Sequence, residues 1–289
     1  MLLYCKHSGQ LCNRLWSLVP AVAFALKHKA TLHVLFANED YLRNFGEIKK
    51  NKHVKFWLTN KKWHKKRLMQ WFENFSERKG REIHGELDLI KKTGFGFRFI
   101  NGWEHRNDVS YIPEYKNQIR ELFAFDPAVR KKVDDFLEDF DGVTIGVHVR
   151  RGDYRQWRDG KYYFDDETYA RIMLSLKSQV AEKLQKRCRF IVCTNGTYNH
   201  SNSALDIMQM PGTDAITEIC ALSRCDYIVG PPSTYSQWAS FMGDTPLNFI
   251  LNADEMPRIE DFSPIVLMNT FGNGRKLIDI VDEKSFIVA

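Results

Sequence analysis

The sequence predicts an α/β protein of two doubly wound domains facing each other across a cleft. Three observations carry that reading. The chain opens as strand, turn, helix and strand; a β-branched run over 143–149 restarts the pattern; and strands then alternate with helices to about residue 241. The 289 residues are 44% apolar, enough to fill two ordinary cores, and 27% charged, which excludes disorder along the whole chain.

Residues 2–5 read as a short apolar strand, and 8–14 as a turn containing Gly9. Residues 15–28 then read as a helix, because Leu15, Leu18, Val19, Val22, Ala25 and Leu26 recur at helical spacing. Pro20 falls inside it, either in an early turn or at a kink. Residues 31–36 form the second strand. From Lys49 to Arg67, nine lysines and arginines are interleaved with Phe56, Trp57 and Trp63, with roughly helical spacing from 61 to 75. A solvated face with its rings turned inward is the ordinary expectation. A peripheral contact with a membrane surface or an anionic glycan is the alternative. Residues 85–117 are irregular and hold Gly94, Gly96 and Gly102; loops or short strands fit them. Residues 119–125 form a short apolar piece. Pro127 suits the first turn of a helix, with Asp126 as its cap.

The domain boundary is placed at 141/142, giving an N-terminal domain over 1–141 and a C-terminal domain over 142–289. In the second, 143–149 read as a buried strand. Residues 165–186 read as a helix, 188–194 as a strand, 217–223 as a short helix and 226–230 as a strand. A turn rich in glycine and proline leads to a helix over 236–241. The tail after 254 is mixed and is left unplaced.

Composition narrows the function. The net charge of +6 favours anionic partners in general. Nothing resembles a base-reading module, so no nucleic-acid partner is expected. The six cysteines form no Cys-x-x-Cys pair and read as reduced thiols. No leader peptide and no apolar run of bilayer length is evident, so a cytoplasmic protein is expected, with any membrane contact peripheral at the inner face. No metal site is expected: Asp165-Asp166-Glu167 reads as a helix N-terminus favoured by the dipole.

Three segments could carry chemistry. His148-Val149-Arg150-Arg151-Gly152-Asp153 closes the 143–149 strand, and ligands of open α/β sheets bind beyond the carboxyl ends of strands. Adjacent arginines there suit a diphosphate, because guanidinium forks match its oxygens. Strand alternation sends Arg150 and Arg151 in opposite directions, so only one should meet the ligand, with Asp153 pairing the other. An ordinary ion-pair cluster on a strand end is the competing reading. The second segment, 230–236, offers Ser233, Thr234 and Ser236 at a helix start, an anion site beyond plain N-capping. The third, 8–14, places Gly9 and Asn13 before a helix, but lacks the glycine pattern of a dinucleotide fingerprint or P-loop.

These residues carry a resemblance. Val147-His148-Val149-Arg150-Arg151-Gly152-Asp153-Tyr154 resembles the His-x-Arg-Arg-Gly-Asp-Tyr signature of α-1,2-fucosyltransferases and their α-1,6- and protein O-fucosyltransferase relatives. Gly9 to Leu15 resembles the N-terminal Gly-x-Leu-x-Asn motif of that family, and residues 226–239 its late serine and Trp-Ala segment. Cys12 and Arg14 stand where Gly and Gln are commoner, and Pro231 to Tyr235 replace a run of serines with Phe. The resemblance implies a GT-B-type fold of two Rossmann-like domains, with the acceptor on the N-terminal side and the donor on the C-terminal side. It implies an inverting, metal-independent transfer of fucose from GDP-fucose to a glycan hydroxyl, in α-1,2 linkage. Arg150 matches the arginine at the donor β-phosphate, and His148 a residue supporting the donor pocket. Ser233, Thr234 and Ser236 fall where phosphate or its loop is held, and Glu218 helps to shape the pocket. No carboxylate identifies itself as a base for the acceptor hydroxyl, and Asp153 is placed with the arginines. Two alternatives share this scaffold: a transferase for another nucleotide sugar, and a non-catalytic protein binding glycan or membrane surface.

Overall fold

The computed structural model describes residues 1–4, 9–37, 44–58, 67, 71, 74, 82–83, 98–100, 102, 109–199, 202–210 and 214–277. The chain divides into two compact units, Met1–Pro127 and Ala128–Ala289.

In the first unit, β1 (Leu2–Tyr4) is followed by α1 (Leu11–Lys27) and β2 (Leu32–Ala37). Three further strands complete a five-stranded sheet: β3 (Val54–Leu58), β4 (Glu82–Ile83) and β5 (Arg98–Ile100), in the order β3-β2-β1-β5-β4. Every pairing in it is parallel. Helix α1 begins earlier than its apolar spacing suggests, taking in Cys12, Asn13 and Arg14. All residues from Leu15 to Ala25 are buried. Burial on all sides, rather than one apolar stripe, holds this helix and allows Pro20 in its middle. Helix α2 (Ile112–Leu122) absorbs part of the apolar piece read at 119–125.

Helix α3 (Pro127–Leu137) starts at its proline, as the N1 preference of that residue requires. Its contacts lie with the second unit: Asp134 pairs with Arg224 at 3.0 Å, and Glu138 just beyond it accepts from Arg189 at 3.4 Å. The units thus divide after the first residue of this helix, whereas the break in sequence pattern follows the helix.

The second sheet runs β10-β9-β6-β7-β8, again with every pairing parallel. Its strands are β6 (Val143–Val149), β7 (Cys188–Thr194), β8 (Ile207–Gln209), β9 (Tyr227–Gly230) and β10 (Leu247–Phe249). All seven residues of β6 are buried, as befits a central parallel strand covered on both faces. Helix α4 (Asp166–Leu184) is capped by Asp165, which accepts from Thr168 N at 2.8 Å. Helix α5 (Ala215–Leu222) is capped by Asp214 in the same way. Helix α6 (Thr234–Gly243) starts two residues before the position its sequence suggests, with Ser233 as its cap. The unplaced tail contains a short antiparallel pair, β11 (Ile265–Leu267) and β12 (Thr270–Phe271).

From β6 the chain proceeds outward through β7 to β8, then returns to β6's other side with β9 and β10. The order of connection therefore reverses between β6 and β9, the switch point where open α/β sheets bind ligands. No helix among the described residues is long and apolar enough to cross a membrane. Residues 59–66 of the basic aromatic stretch, together with Gly94 and Gly96, lie outside the described residues.

Candidate functional site

The carboxyl ends of β6 and β9 bring together the two segments with chemical potential in the second unit. Register places Val147 beside Val229, so His148 and Arg150 emerge next to the turn that opens α6. Gly230 is what lets the strands close up. A Cβ there would lie 2.7 Å from the His148 carbonyl oxygen and 2.9 Å from its Cβ.

Arg150 and Arg151 point apart, as strand alternation demands. Arg151 is buried at 9% exposure and its guanidinium is consumed by the protein. It donates to the Phe164 carbonyl, to Asp166 Oδ1 and, at 3.4 Å, to the Thr197 carbonyl. The rings of Tyr163 and Tyr169 lie against it. Its backbone N–H donates to Asn195 Oδ1 at 2.7 Å. Arg151 is thus a pin between β6, the loop after β7 and the start of α4, not a ligand-facing group. Its carboxylate partner is Asp166, not Asp153. Sequence reasoning assigns Asp166 only to the helix dipole, because nothing in local spacing announces a pairing with Arg151.

Arg150 is the other case. Its Nη2 reaches both oxygens of Asp153, at 3.0 and 3.2 Å, and Asp153 is 57% exposed. The Arg150 guanidinium lies over the Tyr154 ring at 5.1 Å. Its Nε is buried with no hydrogen-bond partner among the described residues. A guanidinium has five donors, and Asp153 engages only Nη2. Gly152, at φ +56, supplies the left-handed turn that sends Asp153 back toward Arg150.

The α6 turn closes the site. Ser233 Oγ accepts from Tyr235 N at 3.2 Å and so caps the helix. Ser236 is wholly buried and donates to the Ser233 carbonyl at 3.2 Å, so its hydroxyl serves the helix instead of meeting a ligand. Thr234, half-buried, is the first residue of the helix. Tyr154 donates its buried hydroxyl to the Pro232 carbonyl at 2.5 Å, tying the arginine loop to this turn. Burial pushes that phenol up to about 12.

His148 is 2% exposed and stacks on Tyr235 with centroids 4.7 Å apart. Burial and the neighbouring Arg150 charge lower its pKa to about 3, so the ring is neutral across the physiological range. Tyr235 in turn donates to the Ala215 carbonyl at 2.8 Å and lies 3.4 Å from Glu218 Oε2. Glu218 thereby stands on α5, partly exposed, beside the tyrosine that stacks on His148. Local sequence gives no sign of the tyrosine's place beside His148, because it follows from the β6–β9 pairing.

Gly9 and Asn13 lie in the first unit, at the start of α1. Gly9 adopts φ +74, and a Cβ there would meet Asn13 Nδ2 at 2.6 Å. Arg14 Nε donates to the Gly9 carbonyl at 2.7 Å. No group of three or more His, Cys, Asp or Glu side chains converges in a metal-ligand arrangement among the described residues. Cys12, Cys188, Cys193, Cys220 and Cys225 are buried free thiols. Burial raises the pKa of the last four, so they behave as small apolar groups.

A doubly wound parallel sheet with an arginine and a capped helix start at its switch point defines an α/β protein of the ligand-binding, doubly wound class. Within that class the chain belongs to glycosyl transferase family 11, whose sequence model matches residues 7–255. It is a glycosyltransferase. Solved structures share the fold at low identity. POFUT1 in complex with GDP aligns with a TM-score of 0.56 and 12% identity, over 86% of this chain and 97% of that one. NodZ alpha-1,6-fucosyltransferase soaked with GDP-fucose aligns with a TM-score of 0.51 and 16% identity, over 83% and 92%. POFUT1 in complex with GDP-fucose gives a TM-score of 0.51 and 12% identity, over 86% and 97%. No curated protein matches the sequence.

Proposed function

We propose that this glycosyltransferase transfers fucose from GDP-fucose to a hydroxyl of a glycan acceptor, with inversion at the anomeric carbon and no metal requirement. The observation that carries the reading is Arg150: a guanidinium at the β6–β9 switch point, with a buried Nε unused by the described residues, beside the N-terminus of α6. As the glycosidic bond breaks, negative charge develops on the leaving diphosphate. Arg150 supplies charge-assisted hydrogen bonds to it. The α6 N-terminus adds the positive end of its dipole. Asp153 is tied to Arg150, so as the new glycosidic bond forms and the diphosphate departs, the acceptor hydroxyl passes its proton to solvent or to the departing diphosphate.

Glu218 extends the reading to the base. Guanine presents two adjacent donors, N1–H and the 2-amino group, which a carboxylate accepts as a pair. Uracil offers one N–H between two carbonyls, which repel a carboxylate. Glu218, positioned by Tyr235, suits the former. The GT-B-type arrangement, with the donor on the C-terminal side and the acceptor on the N-terminal side near Gly9 and Asn13, belongs to this proposal. So do the α-1,2 linkage, a cytoplasmic location and a peripheral membrane contact through the basic aromatic stretch.

Calorimetric titration with GDP and UDP tests the donor. GDP binding that weakens in Glu218→Gln supports the reading; tight UDP binding with none for GDP overturns it. Product analysis by NMR after incubation with GDP-fucose and an acceptor panel reads linkage and anomeric configuration directly. A retained configuration would rule out inversion.

A further inference from the structure

The segment after the Arg150 loop has an unusual backbone. It forms two short 3-10 turns, Gly152–Arg155 and Trp157–Gly160. Arg158, Asp159 and Gly160 follow one another at φ of +52, +55 and +77. The first two have side chains, which the left-handed region disfavours, so the surrounding structure must hold them there. Runs of this kind concentrate where geometry serves function.

What the turn achieves is a run of rings and guanidinium groups in contact, the rings tilted against one another. The Arg150 guanidinium lies 5.1 Å above the Tyr154 ring. The Tyr154 ring lies 4.7 Å from the Trp157 ring. The Arg158 guanidinium packs on the Trp157 ring at 5.3 Å, and Tyr162 flanks it at 5.7 Å. The left-handed residues fold Arg158 back onto its own neighbour and so close the run. At the near end, Arg150 has a salt bridge through Nη2 to an exposed aspartate, the one ion pair it makes among the described residues. The face of the guanidinium is supported by Tyr154. Tyr154 is itself fixed at two points, by its hydroxyl on the Pro232 carbonyl and by the Trp157 ring.

We propose that Trp157 is a positioning residue for Arg150: it backs the Tyr154 ring, so that the guanidinium meets a diphosphate at a set height above the α6 turn. The inference rests on the assignment of Arg150 to the diphosphate. Trp157 touches no substrate in this scheme. It acts through Tyr154, and the strained turn 158–160 keeps it in place. Because the ring is coupled to Arg150, engagement of Arg150 by a diphosphate changes the environment of the indole.

The test uses Trp157→Phe, Trp157→Leu and the parent chain, with GDP and inorganic pyrophosphate as probes. Trp157 is half-buried, so both variants are compatible with folding, and thermal midpoints check this. In the parent, both probes should produce a saturable change in tryptophan emission, lost in Trp157→Phe although calorimetry still detects binding within about two-fold. Trp157→Leu, which removes the ring, should lower kcat by about ten-fold or more with KM for GDP-fucose changing less, because Arg150 acts mainly on the charge that develops during bond breaking. Trp157→Phe should restore kcat to within about three-fold of the parent, because a ring still backs Tyr154. Unchanged kcat in Trp157→Leu, or an emission change that survives in full in Trp157→Phe, overturns the positioning role. Pyrophosphate binding without GDP binding in the parent, with the Trp157 signal present, supports the positioning role while removing the guanine-nucleotide reading. Binding of neither probe overturns both.

Discussion

Two arginines adjacent in sequence should fail in opposite ways when removed. Arg150→Ala deletes a guanidinium whose protein partner, Asp153, is 57% exposed. The exposed carboxylate left behind is rehydrated, so the lost pair itself costs little, but the Arg150 side chain is 12% exposed and packs on the Tyr154 ring, and losing that packing should cost about 1–2 kcal/mol. Catalysis suffers more. One or two charge-assisted hydrogen bonds to a leaving diphosphate, each about 1.5–3 kcal/mol, place the loss at about 2–5 kcal/mol of transition-state stabilisation. That corresponds to a fall in kcat/KM of roughly 10² to 10³ near the middle of the range. Arg151→Ala removes a side chain that is 11% exposed and paired with Asp166, itself 30% exposed. Breaking such a pair from one side costs about 3–5 kcal/mol, which lowers the melting temperature by on the order of 10 °C in a unit of this size. The assay pairs steady-state transfer from GDP-fucose with thermal unfolding of each variant. Arg150→Ala should melt closer to the parent than Arg151→Ala does, and turn over poorly. Arg151→Ala should melt early, with residual activity at low temperature. The reverse pattern would refute the division of labour, and a normal kcat/KM in Arg150→Ala would refute its place at the diphosphate.

Other consequences are as direct. His148 has a folded pKa of about 3 against an ordinary value of 6.5, so the unfolded chain binds a proton first as pH falls. Its contribution to stability is complete above about pH 6.5 and is lost below it, with a slope of up to about 1.4 kcal/mol per pH unit down to about pH 3. In His148→Phe, which keeps a ring against Tyr235, chemical denaturation between about pH 6 and pH 4 should show that much less slope; parallel curves for parent and variant would remove the argument. Gly230→Ala places a methyl 2.7 Å from the His148 carbonyl oxygen. Overpacking there should cost about 1–3 kcal/mol in urea unfolding and weaken GDP binding, and an unchanged midpoint would show that the strands can part without penalty. Asp165→Ala removes the cap of α4, whose side chain accepts from Thr168 N. Stability should drop by about 1 kcal/mol at neutral pH, with a smaller difference in acid, because hydrogen bonds from Thr168 lower the carboxyl's pKa and protonation weakens the cap. Equal losses at both pH values in urea unfolding would count against the charged cap.

Much of the second unit is legible in the sequence because its signals are local. The run from Val143 to Val149 is β-branched along most of its length and proves buried at every position. Asp165 and Pro127 mark helix starts through capping and a fixed φ, both properties of a few neighbouring residues. Alternation correctly sends Arg150 and Arg151 to opposite sides. It cannot say what each will meet. The expectation that Asp153 pairs with Arg151 follows nearness in sequence, but a left-handed Gly152 turns Asp153 toward Arg150. Ser236 reads as a ligand group because a hydroxyl near a helix start looks available, and only burial shows that it faces the core.

The sequence by itself determined the alternation of strands and helices, the strand end that carries the paired arginines, and the motif that links the chain to its family. These depend on periodicity and on short-range chemistry, which a chain carries wherever it is placed. Tertiary structure decided the partners. The order β10-β9-β6-β7-β8 sets β9 against β6, and with it Pro232 against Tyr154 and Tyr235 against His148, groups tens of residues apart. The same packing set Asp166 against the buried Arg151 and left Arg150 Nε without a partner among the described residues. Which of two identical side chains is a structural pin and which keeps a donor for a ligand depends on the number of acceptors the protein offers each and on the distances between elements. Neither quantity exists until the sheet has formed.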